Sequence, residues 1–443
     1  MATTLPLVTR VRSGISWNVA SSLAGQFIGF VRSVTLARLL APEDFGLFTM
    51  ALTIVAAANA LTAIGLDRTI IANKFETPDQ LKVHLNTVWS AEVIRSIVVA
   101  LVVSLAAFPT ARFYGQSQLK LIIPILAAAS IVQGLQNIGL VLLRKEISFV
   151  RIFWFELATN VGGIVFTVAL AAVLRDVWAL VFGMVVTAAI GTVLSYVFHD
   201  FRPRVKFERV ALLQALHFGK FALVFAVASY VSNMADNIMV GRLLGTAALG
   251  NYSLAFNIAS APIIIVIFSV TAVLLPAYAE INTSNPTQLG PAFTRAFNLT
   301  SVIMLAIAVP LFFFSDEIVR LLFGARWTTA GSVLRILALV IPLRGLTLIT
   351  STVFWSANRP RGVALARTLD AIVFLAALYP LISRFGLPGV AWAGVIAYGF
   401  ACVNRVIVVN RIIPGISSKL LRTLLATIAF LIALVLVSAL INR

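Results

Sequence analysis

The sequence predicts an all-α integral membrane protein, and three observations carry that prediction. Of 443 residues, 60% are hydrophobic and only 11% are charged, with a mean hydropathy of +1.01; a water-soluble surface needs far more charge. Thirteen apolar stretches follow one another along the chain, each near the about 20 residues that cross a bilayer core as a helix. The basic excess, 34 Lys+Arg against 16 Asp+Glu for a formal charge of +18, falls mainly on alternate connectors, as the positive-inside rule requires.

The stretches run over 15–40, 46–66, 86–108, 119–143, 151–174, 178–198, 216–241, 249–278, 296–315, 332–356, 363–385, 388–409 and 420–441. Ala41-Pro42-Glu43-Asp44 separates the first two, and a charged run from Asp67 to His84 separates the next pair. Arg144-Lys145-Glu146 and Arg202-Pro203-Arg204 break the chain again after the fourth and sixth. No small-residue cleavage site follows the first stretch, which reads as a retained helix and not a signal peptide. With a cytoplasmic N-terminus, Arg10, Arg12, Lys82, Arg144, Lys145, Arg151, Arg202, Arg204 and Lys206 all fall inside. The other side holds far fewer, chiefly Arg38, Arg112, Arg175, Arg242 and Arg384. Topology accounts for the net charge, so nucleic acid is not an expected partner. The thirteenth stretch makes the number odd and leaves the side of the C-terminus open.

The first and seventh stretches end alike. Arg38-Leu39-Leu40-Ala41 is followed by Phe45-Gly46-Leu47-Phe48, and Arg242-Leu243-Leu244-Gly245 by Leu249-Gly250-Asn251-Tyr252, in one register. Six helices lie between the copies, an even number, so both halves enter the membrane in the same direction. The expected organisation is a six-helix half over 1–200, a basic connector over 201–211, a second half over 212–411 and an extra helix over 412–443. About 12–14 transmembrane helices in two parallel-repeat halves would surround a central cavity.

Enzyme and cofactor chemistry finds no footing. Gly219-Lys220 is followed by Phe221 and lacks the upstream glycine of a nucleotide-binding loop, so ATP is not a direct energy source. Neither Gly-x-Ser-x-Gly nor His-Glu-x-x-His occurs, and no connector exceeds about 20 residues. A single cysteine, Cys402, excludes an internal disulfide. His84, His199 and His217 are far apart and read as connector residues, so neither a metal site nor a cofactor is expected.

Charges within apolar stretches are costly and face the bundle interior, a partner or water. Glu92 and Arg95, three apart on one face, are read as neutralising each other; Asp370 stands in the same relation to Arg367, and Arg405 is expected to snorkel to the surface. Arg32, Glu156, Asp236 and Arg344 are not so easily matched. Asn18, Ser22, Gly25, Gly29 and Arg32 form one helix face, with Gln26 beside it. Ser229, Ser232, Asn233 and Asp236 form another, Glu156, Thr159 and Asn160 a third, and Ser253, Asn257 and Ser260 a fourth. Such stripes serve either helix packing or a hydrated cavity. In the cavity reading Arg32, Arg344, Asn18, Ser22, Gln26, Asn233 and Asn257 meet substrate. Asp236 and Glu156 then serve coupling or gating, with Arg32 and Asp236 expected to pair as a gate.

Three blocks carry a family resemblance: Gly14-Ile15-Ser16-Trp17-Asn18 with Ala37 to Gly46, Asp236 to Gly245, and Asp316 to Gly324 with Trp327. In their order and spacing the chain resembles bacterial polysaccharide and lipid-linked oligosaccharide flippases of the multidrug/oligosaccharidyl-lipid/polysaccharide exporter superfamily. The resemblance implies an alternating-access bundle in the bacterial inner membrane whose cargo is an undecaprenyl-pyrophosphate-linked oligosaccharide. It also implies a cavity arginine on the pyrophosphate, the tail left in membrane lipid, and coupling to a proton or cation. An ion-coupled small-molecule exporter of the same superfamily and a membrane glycosyltransferase or polymerase remain the alternatives.

Overall fold

The computed structural model describes residues 7–62, 70–71, 75–146, 148–356 and 360–441, which form helices and turns with no strand among them. In chain order the helices are α1 (Leu7–Leu39), α2 (Pro42–Leu61), α3 (Pro78–Tyr114), α4 (Leu119–Gly134), α5 (Leu140–Lys145), α6 (Phe149–Leu174) and α7 (Val177–Phe198). They continue as α8 (Arg209–Ser284), α9 (Leu289–Phe313), α10 (Ser315–Phe323), α11 (Thr328–Ser356), α12 (Pro360–Phe385), α13 (Leu387–Val409) and α14 (Ser417–Ile441). Ten segments among the described residues are long and apolar enough to cross a membrane; the protein is a multi-pass membrane protein.

Two of the differences from thirteen lie in α4 and α8. The fourth stretch ends at Gly134 as a 16-residue helix, α4, and its remainder is the separate turn α5. The seventh and eighth stretches run together as α8, two helices that meet at Gly245 with no connector between them. That residue has φ 85° and ψ −173°, a conformation an L side chain rarely adopts. The first stretch, α1, carries Arg10, Arg12, Arg32 and Arg38.

Two compact units divide the chain, Met1–Gly250 and Asn251–Arg443, a boundary some 40 residues beyond the connector at which the sequence places the repeat. In the first unit α1 packs on α6, α6 on α7, α7 on α4, and α4 on both α3 and α2. Leu36 and Leu40 close the end of α1 against Ala171, Ala179 and Leu180. In the second unit α9 packs on α11, α11 on α13, and α13 on α12. Counted by span, third on fourth, fourth on sixth and fifth on sixth recur in both units. Helix α14 belongs to the second unit: it packs on α9 and α13, with a buried Ser301–Thr427 hydrogen bond of 2.7 Å.

The duplicated motif explains itself through a reciprocal contact inside the first unit. A Cβ on Gly46 would overlap the carbonyl of Thr246, and a Cβ on Gly250 would overlap the carbonyl of Pro42. Pro42 and Thr246 are equivalent positions of the repeat, as are Gly46 and Gly250, so each copy meets the other as a two-fold contact requires. The break before each helix is built differently. At the first, the Asp44 carboxylate caps α2 by accepting from the Ala41 N–H at 2.9 Å, with Pro42 at the first helical position.

Candidate functional site

Arg344 sits midway along α11, a helix buried over most of its length. Its Nη1 donates to Ser260 Oγ on α8 at 2.9 Å. The guanidinium lies 5.4 Å from the ring centre of Phe256, also on α8, and 5.8 Å from that of Tyr398 on α13. Two aromatic faces stabilise a cation without cancelling its charge. Among the described residues no carboxylate pairs with it. A cavity of about 530 Å³ adjoins Arg344, walled chiefly by Ile263, Ile264 and Ile267 of α8 and Leu348 and Trp355 of α11, a size that suits a small ligand or part of a larger one.

Two other arginines within spans, Arg95 and Arg405, are matched internally. Arg95 Nε donates to Glu92 Oε2 at 2.9 Å and Nη2 pairs with Oε1, as their spacing predicts. Arg95 Nη1 also reaches Asn59 and Thr62 of α2, at 3.3 and 3.1 Å. Arg405 corrects the sequence reading. It is 4% exposed instead of snorkelling, and its Nη2 holds Asp370 Oδ2 at 2.7 Å, so Asp370 pairs across helices and not with Arg367. Helix α13 lies against α12, and a buried neighbour on a facing helix outcompetes a flexible one on the same helix. Asp370 Oδ1 and Arg405 Nη1 find no hydrogen-bond partner among the described residues.

The remaining sequence-predicted residues scatter. Glu156 on α6 is half-buried, accepts from Ser21 Oγ at 2.5 Å and lies 3.9 Å from Arg144. Asp236 is 6% exposed and accepts from the N–H of Asn237 at 2.8 Å. Arg32 is exposed, and the ion pairs among the described residues do not include Arg32 with Asp236. Ser22, Asn233 and Asn257 are exposed and Gln26 is half-buried. The side chains of Asn18, Ser229, Ser232 and His217 lie outside the described residues. Ser260 was legible in a polar stripe; Phe256 and Tyr398 were missed, because an aromatic facing a cation from another helix leaves no periodic signal. The Asp316 block proves to be architectural: Asp316 pairs with Arg335 at 2.5 Å, while Val319, Phe323 and Trp327 are buried.

One histidine departs from expectation and another bears it out. His84 is a buried residue of α3, not of a connector, its ring tilted against that of Phe75 with centres 5.1 Å apart, because that helix begins at Pro78 behind the Thr77 cap. His199 follows α7 in the connector, as its position predicts, and its Nδ1 accepts from the Phe201 N–H at 3.0 Å. Burial holds its imidazole below the ordinary histidine range; Glu146 and Asp200 oppose that shift, while Arg151 and Arg202 add to it. Beyond it the connector runs extended along α3, with the N–H groups of Arg204, Lys206 and Glu208 donating to Asn86, Ser90 and Thr87.

A family model described as "Polysaccharide biosynthesis protein" matches residues 35–332. Over 334 residues the chain is 27% identical to the lipopolysaccharide biosynthesis protein WzxC of Escherichia coli (strain K12), covering 75% of this chain and 67% of that one. Over 332 residues it is 25% identical to the succinoglycan biosynthesis transport protein ExoT of Rhizobium meliloti (strain 1021), covering 74% and 66%. The matched region thus spans about two thirds of these relatives' length. Among solved structures, the lipid II flippase MurJ in an inward closed conformation superposes with a TM-score of 0.72 at 15% identity, over 94% of this chain and 92% of that one. At that identity the likeness concerns the fold.

Proposed function

This chain belongs to the polysaccharide biosynthesis protein family, and we propose that it is a flippase carrying a polyprenyl-pyrophosphate-linked oligosaccharide across the bacterial cytoplasmic membrane. The observation that carries the reading is Arg344: a guanidinium inside a transmembrane unit, matched by aromatic rings and a hydroxyl instead of a carboxylate. A buried cation costs less once an anion arrives, so a site of this kind favours a phosphate. Arginine suits it better than lysine, since its planar fork takes two phosphate oxygens at once. ExoT is a succinoglycan biosynthesis transport protein and MurJ a lipid II flippase, which supports the same direction. A multidrug exporter that takes cations would place an acid where this chain has Arg344.

The two repeat halves, 1–200 and 212–411, would exchange access to the two sides, with the N-terminus cytoplasmic as the basic connectors favour. Glu156 and Asp236 are the carboxylates proposed for coupling, and Arg32, Asn18, Ser22, Gln26, Asn233 and Asn257 the proposed polar lining. The test is reconstitution: purified protein in liposomes should move a fluorescent lipid-linked oligosaccharide between leaflets without ATP. An absolute requirement for ATP hydrolysis by this chain, or the absence of any movement when the protein is folded, overturns the reading.

A further inference from the structure

The cavity beside Arg344 has walls that say which part of a ligand it takes. Its length follows α11 from Arg344 to Trp355, about 16 Å at 1.5 Å per residue. Opposite stands the isoleucine-rich face of α8. Few polar groups line it, and the two hydroxyls on α11 already donate within their own helix, Ser351 to the Thr347 carbonyl at 3.0 Å and Thr352 to that of Ile349 at 2.6 Å. A sugar in this space would find fewer partners than it has hydroxyls, which is unfavourable. A hydrocarbon chain would lose nothing and gain the burial of its own surface.

Arg344 stands at one end of that apolar space. Its Nη1 is held by Ser260, and its other N–H groups meet no acceptor among the described residues. An anion joined directly to a hydrocarbon chain satisfies both features, and neither part alone does. Resting on the flippase reading above, we propose that this cavity is a subsite for the phosphate of a polyprenyl carrier and the isoprene units next to it. The oligosaccharide lies outside it. Recognition here reads the carrier and ignores the sugar, so cargoes that differ in their sugars share this contact.

Binding of short sugar-free probes to the purified, detergent-solubilised full chain tests the proposal without any transport step. Farnesyl monophosphate should bind, while farnesol and inorganic pyrophosphate should each bind at least about tenfold more weakly. Arg344→Gln should reduce farnesyl phosphate to the affinity of farnesol. Leu348→Trp, which fills the cavity from α11, and Ile264→Trp, which fills it from α8, should each weaken farnesyl phosphate by about tenfold or more. Unchanged elution and melting behaviour shows that each variant is folded; two fillers on opposite walls guard against either one misfolding. If a folded filler binds farnesyl phosphate as the parent does, or if pyrophosphate alone binds equally well, the subsite is overturned. It is also overturned if dioleoyl phosphatidylglycerol competes on equal terms, which marks a general lipid crevice. Probe binding as expected with no flipping in liposomes would sink the transport reading and leave the subsite standing. Flipping with no effect of the fillers on binding would do the reverse.

Discussion

Arg95 in the first unit and Arg344 in the second are both half-buried arginines within transmembrane helices, yet they are handled in opposite ways. Arg95 has a carboxylate three residues away and two further acceptors on α2. Its charge is spent inside the protein, and its bonds tie α3 to α2. Arg344 has one hydroxyl and two aromatic faces, which hold the side chain in place and leave its charge uncancelled. The difference teaches that an intramembrane charge is diagnostic of function only when its neutralisation is also known. Arg405, the most buried of the three, has its charge matched by Asp370 and belongs with Arg95.

The largest effect expected from this contrast is at Arg405. Arg405→Ala leaves the Asp370 carboxylate buried without its partner, a loss of about 3–5 kcal/mol, and most of the folded protein should disappear from detergent extracts. Asp370→Asn should be milder, because the amide still accepts a hydrogen bond. Arg344→Ala should do the converse. Thermal stability should hold while oligosaccharide export falls by at least about thirtyfold, the equivalent of about 2 kcal/mol of lost substrate contact. Arg344→Lys should retain part of the activity. A melting-curve and liposome-flipping series on the same preparations separates the two classes. If Arg344→Ala unfolds the protein and Arg405→Ala does not, the assignment is inverted and the comparison collapses.

How much of this was legible in the sequence depended on whether the partner was near in the chain. Hydropathy marked the spans, and the Arg-Leu-Leu register marked the repeat, since both are properties of contiguous residues. The glycines of the repeat were legible as letters but not as a reason. Only the close approach of Gly46 to Thr246 and of Gly250 to Pro42 supplies one. Glu92–Arg95 was readable because three residues bring two side chains onto one helix face. The same rule misled for Asp370, where a partner on α13 takes precedence over Arg367. Tyr398 lies 54 residues from Arg344 in the chain, and no pattern in either helix announces that the two meet. The break at Gly245 was expected; what a single glycine does not announce is that the next helix starts beside it with no intervening connector.

A smaller effect tests the other side of the comparison. Glu92→Gln leaves Arg95 charged but still bonded to Asn59 and Thr62, and the pair is a fifth to a third exposed. Solvent screening limits such a pair to about 1 kcal/mol, so melting should drop slightly and export should persist. Abolished export with intact folding would show that Arg95 or Glu92 touches cargo, and that internal neutralisation does not exclude function.

The smallest effect concerns a charge that is absent until pH adds it. Neutral His199 accepts the Phe201 N–H through Nδ1, and this bond helps to seat the connector that leads from the first half to the second. Burial lowers the His199 pKa relative to the unfolded chain. The unfolded state therefore binds the proton first as pH falls. The stabilisation is complete above the ordinary histidine value of about 6.5 and is lost as pH drops through the lower folded value. Protonated Nδ1 becomes a donor and can no longer accept from Phe201, at a cost of about 1 kcal/mol for one hydrogen bond. Hydrogen exchange, corrected for intrinsic rates, should show the Phe201 amide losing protection between pH 7.5 and 5.5 while the Asn137 amide, bonded to Ser195, holds. His199→Asn cannot take up that proton and should abolish the pH dependence. If the variant keeps it, the loss originates in Glu146 or Asp200, and the connector is held by its carboxylates instead of by a neutral imidazole.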